Sequence, residues 1–485
     1  MIRIGSLFFG IFCLPAVLWG QYEVDALRFS RSTLNGSAKF ISMGGAMGAV
    51  GADFSVMSSN PGGLGLFRSS QISFTPGFNF AQSESQWQNN AYSDRRFAFQ
   101  FGQVGGVFHK KLQRPLPMGT QGFTFAIGYN RTHSFNRSLF FEGENNSHSI
   151  GDLFLQRANG LPVDQLDAFT ERLGFDTYLL DTLGGGQGNQ YSNLGLFANE
   201  NKLMSRQITA KGSSGEIGLA GAVNLGHRLY VGATLGIVRL DYTETSEYHE
   251  RDQQNLVPGF NQVMFRENLM VEGTGIHVKA GLVWRVADWF RVGAAIHSPT
   301  FMSLTEQYST EMVTDFDVGS YSSTSPRGNF DYDLDMPWRW NASTAFIIAQ
   351  KLTLAAEYEM ADFSNISLRS SGSFFMPVNQ FIDANYGLSH HIRLGGEFRI
   401  DPWRFRAGYQ HATDPVVQNG GVDRTIQYFT AGIGYRAKKW VYFDAAYVLQ
   451  KTQGSERIFR DFSSTLPAII ELNQHLAQVT LGFIF

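Results

Sequence analysis

The last nine residues of the chain, 477–485, have the sequence AQVTLGFIF. In an extended strand, successive side chains point to opposite sides, so alternate residues share a face. One face carries Ala477, Val479, Leu481, Phe483 and Phe485, and the other carries Gln478, Thr480 and Gly482. An apolar face toward lipid and a polar face toward a lumen are typical of a membrane β-barrel. A soluble β-sandwich shows the same alternation with its apolar face turned inward, so this strand alone leaves both architectures open.

The alternation recurs from residue 71 onward and predicts about fourteen strands. These strands are 71–80, 95–108, 121–135, 213–225, 228–248, 263–286, 289–313, 327–349, 351–368, 387–400, 403–413, 423–437, 440–452 and 474–485. An even number of strands is expected for a bacterial outer-membrane barrel.

The connections distinguish the two architectures, because tight turns alternate with long polar loops from the fourth strand onward. The turns lie near Gly226, Ala287, Gln350, Asp401 and Lys438, and the loops cover 249–262, 314–326, 369–386, 414–422 and 453–473. Short turns on one side and long loops on the other are typical of an up-and-down barrel, whereas a Greek-key sandwich has no reason to keep that rhythm. Residues 71–485 are therefore predicted to form an all-β, antiparallel transmembrane barrel. Trp289, Trp403 and Trp440 follow three of the short turns and predict an aromatic girdle on that side.

Composition agrees with a barrel and argues against a nucleic-acid partner. The chain has 39 Lys and Arg residues against 42 Asp and Glu residues, and it therefore lacks the basic excess of a nucleic-acid-binding protein. Only 17% of the residues are charged, whereas 42 are phenylalanine. These proportions fit many strands that face lipid, and they also fit a large soluble β-protein.

Residues 1–20 are predicted to be a cleaved signal peptide. Arg3 supplies the positive start, an apolar stretch follows, and Gly20 is a small residue before a plausible cleavage point at Gln21. The alternative, an N-terminal anchor helix, is less favoured because the stretch is short and contains Pro15. Cys13 is the only cysteine, so the exported chain is expected to have no thiol chemistry. No later apolar run approaches the length of a membrane helix, which leaves a barrel in the bacterial outer membrane.

Residues 21–70 lack the strand alternation and are predicted to form a plug inside the lumen. The run 42–52 (SMGGAMGAVGA) is rich in small residues, which allow close packing. Apolar residues nearby need burial, namely Phe40, Met43, Phe54, Leu64 and Leu66. A disordered N-terminal arm is the other interpretation.

The longest predicted loop, about 136–206, contains a candidate helix over 162–173. Leu166, Phe169 and Leu173 would share one face of that helix, Pro162 suits its first turn, and Gly174 suits its end. Loops of this length are usually functional or disordered.

Two segments resemble the plug signature of the FadL-type outer-membrane transporters, which take up long-chain fatty acids and other hydrophobic compounds. They are 42–53 (SMGGAMGAVGAD) and 60–64 (NPGGL). Members usually carry a Gly-rich run and then Asn-Pro-Ala-Gly-Leu, and Gly62 replaces that alanine here. The number of strands, the long helical loop and the terminal aromatic residue also agree. The Gly-rich composition and aromatic-rich strands are most similar to the Bacteroidetes branch, which includes members that serve protein secretion.

The resemblance implies that external loops capture an amphipathic ligand, which then enters an apolar pocket in the barrel. A shift of the plug and a gap in the third strand would release the ligand sideways into the bilayer. The resemblance implies a capture groove lined by Leu166, Phe169 and Leu173. It also implies plug and gate residues Gly44, Gly45, Asn60, Pro61, Gly62, Gly63 and Gly128, with Gly122 as the other glycine that could bend the third strand.

Inward arginines could bind the carboxylate of such a ligand, because guanidinium groups match carboxylates. The candidates for ligand binding are Arg393, Arg404 and Arg406, and Arg399 also points inward. The other interpretation is that these arginines pair with Glu357, Glu359, Glu397 and Asp444 on the same wall. Pairing is favoured for most of them.

The sequence predicts neither an enzyme nor a cofactor or metal site. His297 precedes Ser298, and His390 precedes His391, but neighbours on a strand face opposite sides. The run 184–188 (GGGQG) does not open a strand–turn–helix unit, so it does not predict a phosphate site. The expected partners are a hydrophobic small molecule and outer-membrane lipid, with the chain as a monomer. The alternatives are a scaffold that binds proteins of a secretion system and a general diffusion porin, which the plug disfavours.

Overall fold

The computed structural model describes residues 19–116, 119–145, 148–183, 189–193, 202–417, 421–438, 440–459 and 466–485. Its strands are β1 Gln71–Trp87, β2 Asn90–Leu116, β3 Thr120–Ser134, β4 Arg137–Asn145, β5 Asp181–Thr182, β6 Tyr191–Ser192, β7 Lys202–Leu225, β8 Leu229–Arg251, β9 Phe260–Ala287, β10 Phe290–His297, β11 Phe301–Phe316, β12 Gly319–Thr324, β13 Gly328–Asp335, β14 Arg339–Ile348, β15 Leu352–Asp362, β16 Ser367–Arg369, β17 Leu388–Ile400, β18 Trp403–Ala412, β19 Ile426–Lys438, β20 Val441–Glu456 and β21 Ala468–Ile484. The α-helices are α1 Trp19–Ser30, α2 Ala38–Ser42, α3 Ile150–Ala158, α4 Glu171–Asp176 and α5 Met376–Asn385. Short 3₁₀ helices cover Phe54–Ser58, Pro61–Leu66, Val163–Gln165 and Phe363–Asn365.

Antiparallel neighbours close the sheet into a barrel, in which β1 pairs with β2 on one side and with β21 on the other. Fourteen strands build the wall in chain order, namely β1, β2, β3, β7, β8, β9, β10, β14, β15, β17, β18, β19, β20 and β21. The predicted fourteen-stranded barrel is therefore confirmed. The strands β4, β11, β12, β13 and β16 extend the wall on the side of the long loops. Among the described residues, no helix is long and apolar enough to cross a membrane.

The side chains alternate as the sequence predicts. On β17, Ile392, Leu394 and Phe398 are exposed on the outer surface, whereas Arg393 and Glu397 are buried inside. Trp289, Trp403 and Trp440 are all about half exposed and lie at the short-turn end of the barrel, where the girdle was expected. The apolar rows thus face outward, as in a membrane barrel.

Several predicted strands are shorter than the observed ones, and three are interrupted. The predicted strand 289–313 is broken by Pro299, and 327–349 is broken by Pro337, because proline cannot donate a ladder hydrogen bond. The 3₁₀ helix Phe363–Asn365 interrupts the predicted strand 351–368. These breaks lie at the level where the fourteen-stranded wall ends and its extension on the side of the long loops begins.

The helix predicted over 162–173 is wrong in its extent. The structure has the 3₁₀ turn Val163–Gln165 and then α4, and Leu166 between them has an extended backbone. The sequence prediction missed α3, which Ser149 and Asp152 cap reciprocally at its start. The predicted signal peptide falls almost entirely on residues 1–18, and the glycine-rich run on 184–188; both lie outside the described residues.

Residues before β1 pass through the lumen from the long-loop end to the short-turn end. Tyr22 in α1 contacts the rings of Phe330 and Phe375 above the barrel. At the opposite end, the backbones of Ser70 and Phe485 hydrogen-bond to each other at 2.9 and 3.1 Å. We call residues 37–66 the hatch, since they fill the cross-section of the barrel between these ends.

Candidate ligand pathway

The upper lumen contains an apolar cluster around α1, which we call the α1 cluster. Tyr22 lies among the rings of Phe330, Tyr332, Phe374 and Phe375, at centroid distances of 5.0–6.2 Å. Phe29, about two helical turns further along α1, contacts Phe135 at 5.9 Å and Tyr242 at 5.5 Å. The protein's own N-terminal helix therefore fills the apolar part of the lumen. The sequence prediction missed this helix.

Polar contacts anchor the lower end of α1 and the residues that follow it. Arg31 pairs with Asp414 at 3.2 Å, and Arg339 donates to the carbonyl oxygen of Ser30 at 2.6 Å. Near the start of α1, burial and the Asp25 carboxylate raise the pKa of Glu23 to about 7. The docking of α1 thus depends on charges as well as on apolar packing.

A cavity of 160 Å³ lies between the α1 cluster and the hatch. Ion pairs surround it: Lys279 contacts Glu216 at 2.6 Å, and Arg339 contacts Glu359 at 3.0 Å. The hatch contributes Ser55, Ser58 and Ser59 to its floor.

Asn60 fixes the hatch to the wall through both groups of its side-chain amide. The Nδ2 atom donates to Gly48 O and Leu282 O, both at 3.0 Å, and Oδ1 accepts from Gly62 N at 3.1 Å. Asn60 thereby caps the 3₁₀ helix that begins at Pro61. A Cβ on Gly62 would lie 2.7 Å from Leu282 Cα, so this position requires glycine. The structure brings Asn60, Pro61, Gly62 and Gly63 into one buried turn.

Gly44 and Gly45 form a second close approach of hatch and wall. Both have positive φ, at 62° and 78°, which favours glycine. A Cβ on Gly44 would lie 2.9 Å from the backbone oxygen of Leu394. The two glycines let the hatch backbone contact β17 and β18 directly.

The wall opens into a seam between β2 and β3. Their ladder ends at the pair Gln103–Asn130, and above it residues 90–101 of β2 form ladder pairs with β1 only. Gly128 is the next inward-facing residue of β3 toward the short-turn end from Asn130, and it pairs with Gly105 of β2. The ring of Phe54 covers both glycines from inside the barrel. Gly122, the other glycine proposed for a bend, lies at a register shift near the short-turn end of β3.

Residues 33–36 cover the seam from the inside. Thr33 N donates to Thr132 O of β3 at 2.9 Å, and Gln100 of β2 donates to Asn35 Oδ1 at 3.3 Å. A Cβ on Gly102 would lie 2.5 Å from Gly36 O. This short segment therefore touches both strands that part at the seam.

The inward arginines are paired with carboxylates on the wall. Arg393 contacts Glu357 at 2.6 Å and Glu359 at 2.9 Å, and Arg406 contacts Glu397 and Asp444 at 2.6 and 2.5 Å. Arg399 pairs with Glu397, whereas Arg404 pairs with Asp401 at the short-turn end. The predicted pairing along the wall is thus confirmed for Arg393, Arg399 and Arg406. Of the ligand-binding candidates, only Arg393 borders the cavity.

The three residues proposed for a capture groove lie in the segment 148–183 above the barrel, which we call the cap, and only two of them share a cluster. Leu166 and Leu173 are buried in the cap's hydrophobic core, whereas Phe169 is partly exposed and packs on Tyr308 at 4.5 Å. Exposed apolar side chains occur instead on α5, at Met376 and Phe381. Among the described residues, no group of three or more His, Cys, Asp or Glu residues could hold a metal ion.

A closed fourteen-stranded barrel with lipid-facing apolar rows and an internal hatch defines an outer-membrane channel protein. The profile of the family described as outer membrane protein transport protein (OMPP1/FadL/TodX) matches residues 186–473. The chain therefore belongs to this family.

Solved structures with a similar fold include a FadL homologue from Pseudomonas aeruginosa, with a TM-score of 0.58 and 13% identity over 94% of this chain and 99% of that one. The P. putida toluene transporter TodX matches with a TM-score of 0.55 and 12% identity, and the Ralstonia pickettii toluene transporter TbuX with 0.52 and 16%; each comparison covers 93% of this chain and 99% of the other. At these identities the likeness concerns the fold. No curated protein matches the sequence.

Proposed function

We propose that the protein is a passive channel through which hydrophobic small molecules, such as long-chain fatty acids, cross the outer membrane and leave sideways into the bilayer. The observation that carries this proposal is the seam between β2 and β3, because it adjoins both the internal cavity and the lipid-facing surface. Two of the proteins with a similar fold are toluene transporters, which agrees with a hydrophobic cargo.

The physics of such a cargo favours sideways release. Each buried CH₂ group gains roughly 0.8 kcal/mol on leaving water, so a hydrophobic molecule prefers the bilayer to the aqueous periplasm. At the seam, Phe99 and Phe101 of β2 already face the lipid. A cargo that passes residues 33–36 would therefore move from one apolar environment into another.

The proposal predicts that fixing residues 33–36 to β2 blocks transport. Asn35→Cys and Gln100→Cys, joined by a short thiol cross-linker, should abolish uptake of labelled palmitate by cells, and cleavage of the linker should restore it. The matched control joins Thr209→Cys to Thr245→Cys, which are cross-strand neighbours on β7 and β8; uptake there should be unchanged. Full uptake by the protein cross-linked at the seam would refute sideways release.

We also infer that residues 1–20 are removed on export and that the protein acts as a monomer. The mass of protein purified from outer membranes should correspond to a chain that begins at Gln21, and a mass that includes Met1 would contradict cleavage. Size analysis in detergent should show one chain per particle.

A further inference from the structure

The internal cavity joins an apolar wall to a polar one. Its upper side is formed by Phe29, Val238 and Met336 of the α1 cluster. Its lower side is formed by hatch serines and by inward residues of the wall. A molecule with an apolar body and a polar head would find both environments within this one space.

The positive charges around the cavity already have partners. Lys279 is paired with Glu216, Arg339 with Glu359, and Arg393 with Glu357 and Glu359. Because these cations are buried together with their carboxylates, an added anion would have to break a pair and leave a charge uncompensated, which is costly.

The two remaining cations at the cavity are also engaged. Arg31 pairs with Asp414 at 3.2 Å. Arg131 lies at an outward position of β3, and its Nε donates to Phe101 O across the seam. Every Lys and Arg of the lining except the outward Arg131 is thus paired with a carboxylate.

Uncharged polar atoms around the cavity, in contrast, lack partners. Ser30 Oγ, Ser59 Oγ and Gln410 Oε1 have no hydrogen-bond partner among the described residues, and each of these three residues is more than nine-tenths buried. A buried polar atom without a partner is destabilising, because it has lost its hydrogen bonds to water. The hydroxyls can donate or accept, whereas Gln410 Oε1 can only accept.

We propose that the cavity is a head-group site for uncharged groups that both donate and accept hydrogen bonds: an alcohol, an amide, or a carboxylic acid in its protonated form. Such a head can donate to Gln410 Oε1 and accept from a serine hydroxyl. An ionised carboxylate can do only the second. This inference rests on the proposed channel function and adds a rule of selection to it.

The cavity is large enough for a small test ligand. Its 160 Å³ is similar to an engineered protein cavity of about 150 Å³ that binds benzene. Benzyl alcohol, benzamide, benzoate and toluene share one ring and differ in the head group, so their affinities isolate the contribution of the head.

The experiment is equilibrium dialysis of these four compounds against the full protein in lipid nanodiscs at pH 7.5, with empty nanodiscs as the blank. Benzyl alcohol and benzamide should bind about two- to tenfold more tightly than benzoate and toluene, the effect expected for one hydrogen bond. Benzoate binding should strengthen as the pH is lowered toward 4. Tightest binding by benzoate at pH 7.5 would overturn the head-group rule.

Gln410→Met tests the proposed site itself. The variant should bind benzyl alcohol about two- to tenfold more weakly and leave toluene unchanged. Gln450→Met is the matched control, because Gln450 is an equally buried inward glutamine on β20 outside this cavity. Equal effects of the two variants would overturn the site. Absence of binding by all four compounds would overturn the proposed channel function together with the head-group rule, whereas toluene binding alone would overturn only the rule.

Discussion

The ring of Phe54 occupies the space in which a side chain on Gly105 would lie, since a Cβ there would overlap ring atoms Cε2 and Cζ. The same ring would meet a Cβ on Gly128, the residue opposite Gly105, at 2.7 Å. Phe54 of the hatch thus packs against two glycines of the wall directly below the seam. The hatch and the wall thus fit closely just below the seam.

Gly105→Ala should displace Phe54 and destabilise the folded protein by about 1–3 kcal/mol, the usual cost of overpacking. The free energy of unfolding in detergent measures this effect. Gly221→Ala is the matched control, because nothing lies within 4 Å of its Cβ position. Adding Phe54→Ala to Gly105→Ala should remove the clash. Equal free energies of unfolding for Gly105→Ala and Gly221→Ala would contradict the close packing of Phe54 on Gly105.

Asn60→Ala should loosen the hatch, because it removes three hydrogen bonds of a buried side chain. At about 0.5–1.5 kcal/mol for each bond, the expected loss is about 2–4 kcal/mol. Brief openings should also appear as conductance steps in planar bilayers. Asn329→Ala, at an exposed position of β13, should behave as wild type. Bilayer recordings without conductance steps, together with an unchanged free energy of unfolding, would contradict the anchoring role of Asn60.

Arg393→Met should destabilise the barrel strongly, because it leaves the buried Glu357 without its ion-pair partner and leaves Glu359 with Arg339 alone. Breaking a buried pair costs about 3–5 kcal/mol. Arg404→Met is the comparison, since Arg404 pairs with the exposed Asp401; such a pair contributes about 0–1 kcal/mol. Thermal unfolding of both variants in the same detergent distinguishes the two cases. Similar melting temperatures would mean that the pairing of Arg393 is not structural.

The barrel could be predicted from the sequence because alternation and turn spacing repeat over the whole wall. The pairing of the inward arginines also followed, since arginines and carboxylates alternate to the same side of β17 and β15. The breaks at Pro299 and Pro337 could have been placed from the prolines alone. The hatch turn at Asn60 and Pro61 was recognisable by its residues, although its contact with Leu282 was not.

The candidate pathway was harder to predict because it depends on contacts between distant residues. Tyr22 and Phe375 meet only after the chain has closed the barrel, and nothing local to α1 indicates that it fills the upper lumen. Leu166 and Leu173 carry the apolar pattern of a groove, but the same pattern serves the core of the cap. Likewise, the seam is a place where a ladder ends, and the sequence of β2 continues to alternate through it.

The docking of α1 should weaken as the pH rises. The pKa of Glu23 in the docked helix, about 7, is above the value of about 4.3 for a free glutamate. Docking therefore favours the protonated form; it is strongest below about pH 4.3 and weakens as the pH rises toward 7. A spin label on Val24→Cys, at an exposed position of α1, should become more mobile between pH 5 and pH 8.

Glu23→Gln should reduce that change in mobility, whereas Glu84→Gln, at an exposed position of β1, should retain all of it. Label mobility that is independent of pH in the unmodified helix would contradict a charge-dependent docking of α1.

Mapping the exit of a photoreactive fatty acid tests the central claim most directly. Cells that carry the protein would take up a palmitate with a diazirine near its tail, and brief illumination would be followed by peptide mapping of the labelled residues. Labelling should concentrate at Phe101, Arg131 and Thr132, on the two strands that border the seam. Labelling at the short-turn end of the lumen, or spread evenly over the outward apolar rows, would contradict sideways release.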